Sequence, residues 1–89
     1  MAVDTDESAG TRDEREGSTR ATMRRALLMA MEAHEGAIRV HERVAEFFML
    51  EGEHAKAQEE REAADRERER LAAARRRLEA FDARSRPPE

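Results

Sequence analysis

Residues 27–52 read LLMAMEAHEGAIRVHERVAEFFMLEG. Within them Leu27, Met31, His34, Ile38, His41, Ala45 and Phe48 succeed one another at alternating spacings of four and three. That rhythm belongs to a helix with one side covered by another helix. Ala33-His34-Glu35 and Val40-His41-Glu42 repeat the pattern seven residues apart. Gly52 ends the stretch and is the natural stop, because glycine takes the left-handed cap conformation at little cost.

Beyond the glycine the same rhythm returns in thinner form. Ala57, Ala64, Leu71 and Leu78 make one seven-residue series, and Glu60, Glu67, Ala74 and Phe81 make the other. Folding the chain about Gly52 sets positions whose numbers sum to about 105 opposite one another, as a hairpin with a tight turn requires. Phe48 then meets Ala57, His41 meets Ala64, His34 meets Leu71, Met31 meets Ala74 and Leu27 meets Leu78. Large side chains face small ones, so the two axes can approach closely. The expected fold is all-α, a coiled-coil-like antiparallel two-helix hairpin. Its first helix runs over about residues 19–51 and its second over about 53–83. Ser18, Thr19 and Thr22 are candidate N-caps, and Ser85-Arg86-Pro87-Pro88 ends the second helix.

Outside residues 18–84 the composition changes. Residues 1–17 are Asp, Glu, Gly, Ser, Thr and Arg with almost nothing apolar. Such a segment cannot offset its ordering entropy and is expected to form a disordered acidic tail. Residues 85–89 are expected to form a second short tail. The formal charge of −4 is carried by residues 1–19, and the remainder balances.

The 89 residues suffice for one small domain. With no cysteine, disulfides, thiolate nucleophiles and Cys-ligated metals are excluded. Sixteen of the 17 basic residues are arginine, a bias of GC-rich genomes. The amino terminus lacks the basic start and apolar run of a secretory signal. The longest uncharged apolar run, residues 26–31, is far shorter than the ~20 residues a membrane span needs. These features point to a cytoplasmic protein with no membrane partner.

Three constellations bear on chemistry. The first is His34, His41, Glu60 and Glu67, which the hairpin register brings together. Imidazole and carboxylate are legitimate ligands for zinc, iron or manganese. The same residues also serve as half-buried hydrogen-bonded pairs, His34 with Glu67 and His41 with Glu60, that fix register. The pair reading is the favoured one, and no cofactor is expected. The second is Arg75-Arg76-Arg77 with Arg84 and Arg86. Opposed by Glu79 and Asp82, this run reads as complementing a helix C-terminus rather than as a nucleic-acid surface. The third is negative: Ser8, Ser18 and Ser85 lie away from any histidine, and no Gly-rich phosphate loop occurs. An enzyme is not expected.

The first helix has more apolar surface than its slim mate can cover. Met29, Val40, Val44 and Phe47 make a shoulder beside Phe48 and the seam. Leaving such a side chain exposed forfeits roughly 1.5–3 kcal/mol, and two-helix units alone are marginal in water. The expectation is therefore a homodimer, a four-helix bundle with first helices at its centre, or capture of a partner helix. Met29, Val40, Val44, Phe47 and Phe48 are the candidate interface.

From Ala37 to Ala64 the chain resembles one tetratricopeptide-type hairpin. Val44 and Ala45 precede Phe48, Gly52 falls at the turn, His54 takes the usual aromatic slot, and Ala57 and Ala64 take the two small positions. Arg61 departs from that pattern, standing where a large apolar residue is usual. Such repeats are about 34 residues long and, when stacked, bind other proteins. The chain is also loosely similar to short Ala/Arg/His/Glu-rich hairpin segments of actinobacterial proteins, whose roles are unassigned. Both resemblances imply an interaction module.

Overall fold

The computed structural model describes the backbone of residues 5–86 and the side chains from Glu14 to Arg86. It contains two helices, α1 (Thr5–Leu50) and α2 (His54–Ser85), packed antiparallel, and the described residues include no strand. The all-α hairpin expected from the periodicity is the observed fold.

The turn is built by Gly52. Its φ is +75°, the only positive φ among the described residues. The Glu53 N–H donates to the Phe48 carbonyl at 2.8 Å and the Gly52 N–H to the Met49 carbonyl at 3.1 Å. Together these two bonds make a Schellman stop, which satisfies carbonyls that the end of α1 would otherwise leave open. The Ala57 N–H then donates to the Glu53 carbonyl at 3.0 Å and starts α2. Glu53 is the N-cap residue, yet its side chain makes no cap bond; it accepts instead from Lys56 Nζ at 3.2 Å. At the far end the Ser85 hydroxyl donates to the Phe81 carbonyl at 3.0 Å. Arg86 turns extended at φ −72°, ψ 136°, the conformation that a following proline imposes.

The covered seam is a column of small residues. Ala45 on α1 and Ala57, Ala64, Leu71 and Ala74 on α2 are the buried positions. Four of the five are alanine, so the helices lie close and α2 shields only a narrow strip of α1. Leu27, Met31, Ile38 and Phe48 line the strip half-buried.

One boundary differs from expectation. Composition assigns residues 1–17 to a disordered tail. Residues 1–4 lie outside the described range, whereas Thr5–Gly17 belong to α1. The physical reason is propagation: nucleation is the costly step, and residues added to an existing helix each gain a hydrogen bond. With no proline before residue 87, nothing interrupts it. From Glu14 to Ala26 every side chain is exposed, so this part of α1 extends the rod without enlarging the core. The carboxy-terminal tail expected at 85–89 falls mostly on residues 87–89, outside the described range; Ser85 is still helical.

Candidate functional site

Two surfaces of α1 matter: the seam it shares with α2 and the face it turns to solvent. On the seam, His34 Nδ1 lies 2.6 Å from Glu67 Oε2 and His41 Nδ1 lies 2.5 Å from Glu60 Oε2. A carboxylate oxygen only accepts, so each Nδ1–H donates. Both pairs are the ones the register predicts, one heptad apart along the hairpin, and all four side chains are partly buried. Glu67 is held below the usual glutamate range. The His34 hydrogen bond is the largest cause, burial acts against it, and Arg70, whose guanidinium donates at 2.6 Å, adds to the lowering.

The same four residues are the candidate metal ligands. They form two separate pairs, and among the described residues no three His, Asp or Glu side chains come together as an ion would require. Each imidazole donates to its own carboxylate, which fixes the helix register.

Outside the seam, charges of opposite sign cross between helices. Arg24 Nε donates to Asp82 Oδ1 at 3.0 Å, and the Arg24 pKa is raised by that bond and by the charge of Asp82. Arg68 donates to Glu42 and, at 2.6 Å, to Asp65. Arg75 lies 3.6 Å from Glu35. These cross-helix pairs were not anticipated, although a signal exists: Glu35 and Glu42 flank the seam seven residues apart, as do Arg68 and Arg75 on α2. The pairing also engages one arginine of the basic run at 75–77. In all five polar cross-helix contacts the partner numbers sum to between 101 and 110, around the expected 105.

The solvent face is where the apolar excess lies. Met29 is 62% exposed, Val40 57% and Phe47 55%. Val44 and Phe48, grouped with them in sequence, are half-buried, because α2 reaches the near edge of the shoulder. Phe48 is further engaged by Lys56, whose Nζ sits 5.6 Å from the ring centre, and by the Phe47 ring at 5.7 Å. The five candidate interface residues thus divide into three outward side chains and two that join them to the seam. Met23, Leu28, Met49 and Leu50 are also exposed. No helix among the described residues is long and apolar enough to cross a membrane.

Comparison of the chain with protein-family models, with curated proteins and with solved structures finds no match in any of the three.

Proposed function

We propose that this chain is a small cytoplasmic interaction module which works by binding rather than by catalysis. It presents the outward apolar face of α1 to a second copy of itself or to a partner helix. One observation carries the reading: Met29, Val40 and Phe47 stand more than half exposed on a helix whose other side is already covered. Burying each recovers a share of the roughly 1.5–3 kcal/mol that full burial of such a side chain is worth. A hairpin this thin gains little from its own alanine seam. Association with α1 at the centre of a four-helix bundle supplies the missing burial. The likeness to a tetratricopeptide hairpin, a protein-binding unit, agrees with this reading.

The test is mass against concentration, by light scattering or sedimentation. The expected result is a dimer that the double variant Val40→Glu/Phe47→Glu converts to a helical monomer. A doubled mass that the two substitutions leave unchanged refutes this face as the interface.

A further inference from the structure

Starting at Met23, alternating steps of three and four residues along α1 reach only apolar side chains until Phe47. This line lies about 100° around the helix from the line that meets α2, so both can be occupied at once. Met23, Val40 and Phe47 on it are more than half exposed, and its alanines lie in the stretch before Val40. Beyond Met23 the line is therefore small in its first part and large in its second.

We infer that a second copy of this chain docks antiparallel along this line, in the register where paired numbers sum to 70. The inference rests on the association reading above and specifies its geometry. In that register Met23 faces Phe47 of the second copy, Ala26 faces Val44, and Ala30 faces Val40. Ala33 faces Ala37 next to the twofold axis. Every position finds an apolar partner; bulky faces small in the Ala26–Val44 and Ala30–Val40 layers and alanine faces alanine at the axis, which is the complementarity a close helix pair needs.

One further observation supports a second copy, Gly36. Glycine is the costliest residue after proline inside a helix, and nothing in the hairpin requires it: an added Cβ would meet only Arg39 Nη2, at 3.9 Å. In the proposed register Gly36 lies one residue from the twofold axis, on the flank of the line, so it passes close to Gly36 of the second copy.

The chain has no cysteine, so single-cysteine variants report the register directly. Ala30→Cys and Val40→Cys proteins, unfolded together, refolded and mildly oxidised, are expected to give a disulfide-linked dimer containing one of each. Either variant alone is expected to stay uncross-linked, because like positions are ten residues apart in this register, about 15 Å, beyond disulfide reach. A dimer in which one variant cross-links to itself, or in which the mixture does not cross-link, overturns the register and leaves the association reading standing. A chain that stays monomeric up to millimolar concentration overturns both this inference and self-association. Gly36→Leu provides a second arm: full helical circular dichroism with dimer dissociation weakened more than about tenfold is expected. An unchanged dissociation constant refutes the close crossing at Gly36.

Discussion

Replacing Gly52 by L-alanine is expected to destabilise the hairpin by about 1–2 kcal/mol, the cost of forcing an L-residue into left-handed helical geometry. The figure follows from the structure because the backbone is the only obstacle. Gly52 has φ +75°, and a Cβ built there meets nothing within 4 Å. Contact with the rest of the chain contributes nothing, so the cost is the local one between the new Cβ and the adjacent carbonyl, and the two Schellman bonds require the conformation to be kept. For a domain of this size each kcal/mol moves the melting temperature by about 4–8 °C. With no Trp or Tyr, the unfolding transition is read by far-ultraviolet circular dichroism, at one fixed protein concentration because the proposed association would contribute to stability. D-alanine at the same position, introduced by chemical synthesis, prefers positive φ and is expected to match or exceed the parent. An L-alanine variant as stable as the parent, or a D-alanine variant as damaged as the L, refutes the assignment of Gly52 as a conformational stop. Gly36, inside α1, supplies the opposite sign. In the Val40→Glu/Phe47→Glu background, which removes the proposed association, Gly36→Ala is expected to stabilise by about 1 kcal/mol.

Other outcomes follow from the seam. Ala64 is 1% exposed against α1, so Ala64→Leu is expected to cost about 1–3 kcal/mol through overpacking, measured by urea titration; a neutral result means the helices separate easily. Glu67 titrates below its usual range when folded, so its contribution is complete above the ordinary glutamate range and is lost as pH falls through the lowered value. Removing the chief cause with His34→Leu is expected to raise that value and move the acid-unfolding transition to higher pH; an unmoved transition argues against the pair.

The hairpin was legible because its determinants are local or periodic. Gly52 lies between two heptad series, and matching large residues to small ones across the turn places His34 against Glu67 and His41 against Glu60 without further information. The start of α1 was not legible from composition. A lack of apolar residues at 5–17 means that nothing is buried there, but it does not say where a helix already nucleated downstream stops propagating. The division of the shoulder was half legible. Spacing groups Val44 and Phe48 with Val40 and Phe47, whereas the actual reach of α2 determines which of them stays wet. The charged flanks at Glu35, Glu42, Arg68 and Arg75 repeat every seven residues, and weighing only the apolar positions hides them.

The narrowness of α2 has a mechanical consequence. Braced along one side by a slender strut and locked in register by two imidazole–carboxylate bolts, α1 is expected to resist bending between Leu27 and Phe48, Gly36 included. In the proposed association the free edge would then be a surface already straightened, with little of the interaction spent on ordering it. Weakening the bolts is expected to loosen that association at a distance, without touching a single residue of the contact.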